Sequence, residues 1–213
     1  MQVNLEKKSF RMPESYSAGL VSQSFWFLEF KKVAKLRREG CTYDEIKKRC
    51  VNENLFGAGK EYRALRMAGY LITRLKALDE ECLELFANAD LQTQKIINLI
   101  AVLKNDRLFF EFLYEVYREK IQLGADCIQD SDVKIFFTRK ETQSDLVAAW
   151  SDSTKKRLGA AYLNFMSEGN LLAEAQGTKK QRKITPPIID VTLEAYLKST
   201  GQEAMLRALT GEN

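Results

Sequence analysis

Residues 151–188 read SDSTKKRLGAAYLNFMSEGNLLAEAQGTKKQRKITPPI, and the stretch changes grammar halfway along. Ser151-Asp152-Ser153 opens a helix whose apolar stripe is Leu158, Ala161, Tyr162 and Phe165, at steps of three and four. Gly169 closes that helix. Beyond it the helical period stops. Residues 171–176 and 184–188 are short extended runs, and Gly177-Thr178-Lys179-Lys180-Gln181-Arg182-Lys183 lies between them. Gly and Thr mark a turn, so the segment predicts a β-hairpin with a basic tip. Pro186 and Pro187 confine the second run to an edge position, because proline cannot donate to a ladder.

Upstream, residues 131–140 make a helical turn or two with Val133, Phe136 and Phe137 inward. Ser144 then caps a short helix carrying Leu146, Val147 and Trp150. Helix, short helix, second helix and basic hairpin is the order of a winged helix-turn-helix. In that unit the second helix enters the major groove N-terminus first, so its opening turns should be polar and cationic. Here they are Ser153, Thr154, Lys155, Lys156 and Arg157, with Asn164 further along. Lys179, Lys180, Arg182 and Lys183 suit a wing on an adjacent groove or backbone, and positions 175–189 contain no acidic residue. The expected organisation is an N-terminal helical domain over 1–124 and a C-terminal winged-helix domain over 125–213.

The N-terminal half is helical throughout, so the fold class is mainly α. A helix from about position 17 to 39 buries Leu20, Phe27, Phe30, Val33, Ala34 and Leu36, and Gly40 stops it. Thr42-x-x-Glu45 is a capping box for a second helix with Tyr43, Ile46 and Cys50. After a break at 52–59, a third helix runs to about Leu78 with an apolar stripe of Tyr62, Leu65, Ala68, Ile72 and Leu75. Lys60, Arg63, Arg66, Tyr70 and Arg74 fall on a different face, a row that suits phosphate oxygens. The second helix is itself basic at Lys47, Lys48 and Arg49, and this helix-break-helix resembles a helix-turn-helix with an overlong break. Asp90 and Asp106 are N-caps of two amphipathic helices, antiparallel neighbours, and Gly124 ends the second.

Charge is distributed unevenly over the 213 residues, whose formal net charge is only +4. Residues 1–78 carry 16 basic and 8 acidic side chains, and residues 79–148 carry 8 and 14. Residues 149–189 carry 7 and 3. Two basic zones flanking an acidic middle point to a polyanionic partner. The cluster Asp79-Glu80-Glu81 with Glu84 reads as a first-turn acidic group favoured by the helix dipole rather than a metal site.

Other chemistry is poorly supported. The chain has no histidine, which excludes any histidine base, nucleophile or ligand. Cys41, Cys50, Cys82 and Cys127 form no C-x-x-C pair and read as reduced thiols. Gly57-x-Gly59-Lys60 echoes a phosphate loop, but Glu61 stands where Ser or Thr is required. No nucleophile has a recognisable base partner, so no catalytic residue, metal or cofactor is expected. No apolar run approaches the roughly 20 residues of a membrane span. The N-terminus lacks a signal-peptide core, and a cytoplasmic location is expected.

A set of motifs resembles the BrxA family of BREX phage-defence systems. They are Tyr16-Ser-Ala-Gly19-Leu20, the helix entering Gly40, the basic 62–75 helix with Arg63, Arg66 and Arg74, and Leu103-Lys-Asn-Asp-Arg107-Leu-Phe-Phe110. Trp150-Ser-x-Ser-Thr154 leading to Ser167-Glu-Gly-Asn-Leu171-Leu172 completes the set, which spans nearly the whole chain. The resemblance implies an all-helical, winged-helix-containing accessory protein without enzymatic activity. It would bind double-stranded DNA beside the methyltransferase and large ATPase of its system. The family has also been labelled an inner-membrane protein, which this sequence does not fit. The alternative is an adaptor that docks other defence components through its acidic middle without touching DNA.

Overall fold

Each start signal in the sequence places a helix. The structure, a computed structural model, describes residues 12–174 and 181–212. In chain order the elements are α1 (Phe27–Arg38), α2 (Tyr43–Asn52), α3 (Glu61–Lys76), α4 (Glu80–Asn88) and α5 (Leu91–Leu103). α6 (Arg107–Phe112) continues through a π turn at Leu113–Tyr117 into α7 (Arg118–Gln122). Then come β1 (Cys127–Gln129), α8 (Asp130–Gln143), α9 (Asp145–Ala148), α10 (Asp152–Glu168), β2 (Leu172–Glu174) and β3 (Gln181–Ile184). α11 (Val191–Ser199) and α12 (Glu203–Thr210) finish the chain.

The capping chemistry is local and legible. Thr42 and Glu45 exchange both bonds of the capping box. Asp79, Asp90, Asp106, Ser144 and Ser151 each accept from the backbone N–H three residues on. Gly40 and Gly124 stop their helices at φ 90° and 68°, where a Cβ would be strained. At the end of α10 the left-handed residue is Asn170, φ 63°, rather than Gly169.

Three sequence expectations change. The single helix expected over 17–39 is instead a 3₁₀ turn, Gly19–Ser22, and α1, separated by an extended break in which Trp26 is left-handed at φ 46°. Long-range donors cause it. Arg74 and Asn98 both donate to the Phe25 carbonyl, and Arg74 also donates to the Ser24 carbonyl, so these groups serve tertiary bonds. Second, the stripe on α3 is rotated: Ala64, Ala68, Leu71, Ile72 and Leu75 are buried, whereas Tyr62 and Leu65 are exposed. Third, the hairpin belongs to a three-stranded antiparallel sheet in the order β1-β3-β2. The β3 strand is therefore central rather than an edge. The ladder ends before Pro186 and Pro187, so neither has to supply an N–H.

The core is one cluster that runs through both halves of the chain. Phe109 stacks on Tyr162 at 4.7 Å between centroids, and Phe112 meets Phe136 edge-on at 5.1 Å, which joins α6, α8 and α10. Tyr196 of α11 donates to Asp79 at 2.9 Å, returning the last helices to the N-terminal half. Among the described residues no helix is long and apolar enough to cross a membrane.

The approach of α8 to α10 depends on Gly159, where an added Cβ would overlap Cγ1 of Val133. Valine is stiff at χ1 and has little room to yield. Gly159→Ala is expected to lower unfolding stability by about 1–3 kcal/mol despite its better helix propensity. A urea melt checks this, and a stabilised variant would mean that α8 moves freely.

Candidate nucleic-acid interface

Helix α10 divides its surface cleanly. Leu158, Tyr162, Leu163, Phe165 and Met166 are buried, and Ser153, Lys156, Arg157, Ala160 and Asn164 form one exposed stripe. Their spacing of 0, 3, 4, 7 and 11 is one face of a helix. Between Ser153 and Asn164 that stripe carries no carboxylate; exposed Asp152 and Glu168 bound it, four residues before Lys156 and four after Asn164. Ser151 fixes the helix start: its hydroxyl accepts from the Thr154 N–H and lies within 2.9 Å of the Ser153 hydroxyl.

Lys155 is different. Its ammonium is bonded to Glu141 of α8 and to Asp152 at 3.0 Å, and its side chain is only 13% exposed. Hydrogen bonds to Glu141 and then Asp152 hold its pKa above the ordinary lysine value. It therefore braces α10 against α8 and does not join the exposed stripe.

The sheet sorts the wing residues by pleat. Arg182 sits opposite Ile128 and Glu174, whereas Lys183 sits opposite Cys127 and Ala173. Ile128 and Ile184 are buried, so Arg182 lies on the inner face of β3, and exposed Lys183 lies on the outer face. Arg182 lines a groove of about 720 Å³ whose charged walls are mixed, with Lys134, Lys155 and Lys156 set against Asp130, Glu141 and Asp152. Lys179 and Lys180 lie outside the described residues.

On α3 the expected row is interrupted. Lys60, Arg63 and Arg66 are exposed, and Tyr70 is half-buried. Arg74 is a correction: it is 2% exposed and cannot meet a phosphate. Its guanidinium donates to the Phe25 carbonyl at 2.6 Å, the Ser24 carbonyl at 2.8 Å and Gln23 Oε1 at 3.2 Å. The rings of Trp26 and Phe165 lie 5.6 and 5.5 Å from it. Burial pushes its pKa down to about 9, still high enough to keep it charged at neutral pH.

Sequence spacing placed Arg74 correctly on the Arg63–Arg66 side of the helix but carried no sign of the loop that covers it. The Glu141–Lys155 pair was equally invisible, since its partners are fourteen positions apart on different helices with α9 between them. The acidic cluster proves engaged: Glu80 pairs with Arg37 at 3.8 Å and Glu84 with Arg38 at 3.0 Å. Among the described residues no carboxylate or thiol cluster forms a metal site.

Three similarities accompany this geometry. The BrxA family model matches residues 14–201. A BREX protein BrxA from Bacillus cereus (strain H3081.97) is 33% identical over 197 residues, covering 92% of this chain and 97% of the relative. The crystal structure of an uncharacterized protein from Magnetospirillum magneticum is similar in fold, with a TM-score of 0.77 at 19% identity, over 92% of this chain and 99% of the other.

Proposed function

The chain belongs to the BrxA family, and from that premise we propose that it is a non-enzymatic, duplex-DNA-binding component of a BREX phage-defence system, acting in the cytoplasm. The observation that carries this reading is the exposed stripe of Ser153, Lys156, Arg157, Ala160 and Asn164, uninterrupted by a carboxylate over those three turns and bordered by Arg182. The order β1-α8-α9-α10-β2-β3 with β3 between β1 and β2 supports a winged helix-turn-helix, with α10 as the reading helix and the β2–β3 hairpin as the wing. Ala160 lets the groove floor approach closely, and Asn164 offers both a donor and an acceptor to a base edge.

Affinity in this reading is mainly electrostatic. Neutralising roughly 4–7 phosphates gives a slope of log affinity on log salt of about −4 to −6. A mobility-shift series with a random duplex across salt measures it. Lys156→Gln with Arg157→Gln is expected to flatten the slope by about 2 and to weaken binding at least tenfold at 0.1 M salt. No duplex shift by the parent protein even at 50 mM salt would sink the proposal. Retention of the system's methyltransferase or ATPase on the tagged protein after nuclease treatment would then favour the adaptor role.

A further inference from the structure

The exposed α3 row and the α10 stripe lie more than eighty residues apart in sequence, yet one short segment touches both. We propose that the α3 row and the α10 stripe form a single duplex track, joined across residues 19–24; this rests on the DNA-binding reading above. On one side of that segment, Val21, Gln23 and Ser24 form one wall of a cleft of about 240 Å³, whose other wall includes Arg157 and Asn164 of α10. On the opposite side, the Ser22 hydroxyl lies 2.8 Å from the Tyr70 hydroxyl of α3, and the Trp26 ring stacks on Tyr70 at 6.1 Å. Tyr70 follows Arg66 by four residues and Arg63 by seven, so all three share a helix face.

The path from Arg157 to Arg66 thus crosses Val21, Ser22, Ser24 and Tyr70, none of which is acidic. Both flanks are held in fixed relation, because Arg74 is clamped between the Trp26 and Phe165 rings while bonded to the Ser24 and Phe25 carbonyls. Glu168 closes the far end of the cleft, about 16 Å along the α10 axis from Arg157 at 1.5 Å per residue. That carboxylate, with Glu29 as its electrostatic neighbour, sets the edge of the track and keeps the phosphate path at the Arg157 end.

Ser24 is exposed, uncharged and part of neither the α3 row nor the α10 stripe, so a charge placed there separates one track from two patches. Its backbone carbonyl still accepts from Arg74 whatever its side chain. The probe is a 30-base-pair random duplex at 0.1 M salt, with thermal melts to verify folding. Ser24→Glu is expected to weaken binding about tenfold by opposing a phosphate, whereas Ser24→Gln stays within twofold. In parallel, Arg63→Gln with Arg66→Gln should lower the salt slope by about 2 and shorten the hydroxyl-radical footprint from one end only. Parent-like binding by both the Ser24→Glu and the Arg63→Gln/Arg66→Gln proteins overturns the single track while leaving the α10 reading intact. Failure of the parent protein to bind removes that reading itself.

Discussion

Replacing Arg74 by Leu is expected to lower the unfolding free energy by about 3–4 kcal/mol, through stranded carbonyls and a lost aromatic clamp. The variant leaves the Ser24 carbonyl and Gln23 Oε1 without their donor, and the Phe25 carbonyl keeps only Asn98, at 3.0 Å. It also empties the space between Trp26 and Phe165. For a chain of this size that loss is a fall in Tm of roughly 6–16 °C. Arg74→Lys keeps the charge but not the planar fork, and about half the loss is expected. The outcome discriminates between a structural role for this arginine and a DNA-contacting one. A surface cation on DNA would change stability by less than about 0.5 kcal/mol and flatten the salt slope. An unchanged melt with weakened duplex binding would restore Arg74 to the interface.

A second large loss is expected at Lys140, on the join between α8 and the α6–α7 helix. Its side chain is 2% exposed, and its ammonium donates to Glu111 Oε2 at 2.6 Å and Glu115 Oε1 at 2.5 Å. The π turn at Leu113–Tyr117 widens the helix at Glu115. Tyr16 donates to the same Glu111 at 2.8 Å, and Arg107 donates to its other oxygen at 2.7 Å. Burial alone would lower the Lys140 pKa, but the two carboxylates hold it above the ordinary lysine value. Burial likewise works to raise Glu111, and the bonds from Lys140, Arg107 and Tyr16 overcome it and hold its pKa below the usual range. Lys140→Met leaves Glu115 without its cation and Glu111 with Arg107 alone, and should cost about 3 kcal/mol at pH 7.

A depressed carboxylate contributes stability that is present above its unfolded pKa and lost as pH falls through its folded pKa. Glu111 therefore stabilises the parent protein at neutral pH and ceases to do so in acid. In Lys140→Met the same protonation relieves repulsion, so the deficit against the parent should shrink between pH 7 and pH 4. Adding Glu115→Gln should recover about half of it at pH 7, since one of the opposed charges is gone. Urea melts at the two pH values measure both. A deficit that does not change with pH would assign the loss to packing of the lysine stem.

Helix starts and stops were legible because their causes are local. A Ser, Thr or Asp hydroxyl or carboxylate satisfies an N–H three residues away, and Gly40 or Gly124 accepts a left-handed backbone wherever it sits. The exposed Lys156 and Arg157 and the apolar stripe of α10 follow from period alone. The β1 strand was not legible: Cys127-Ile128-Gln129 is too short to show alternation, and it becomes a strand only by pairing with β3. Nor was the break before α1, since the donors that hold open its carbonyls come from α3 and α5.

By itself, then, the sequence determined the helical class, the capped helix starts, the helix, short helix, helix order before the hairpin and the two local surpluses of positive charge. Each of these depends on neighbours within a few residues. Only the tertiary structure decided which cations reach solvent. Arg63, Arg66 and Arg74 are equivalent on a helical wheel, yet the last is sealed under residues 23–26, and Lys155 and Lys156 part company because Glu141 lies beside one of them. Exposure and pairing are properties of whatever packs against a helix, and here that partner comes from 14 to 51 residues away.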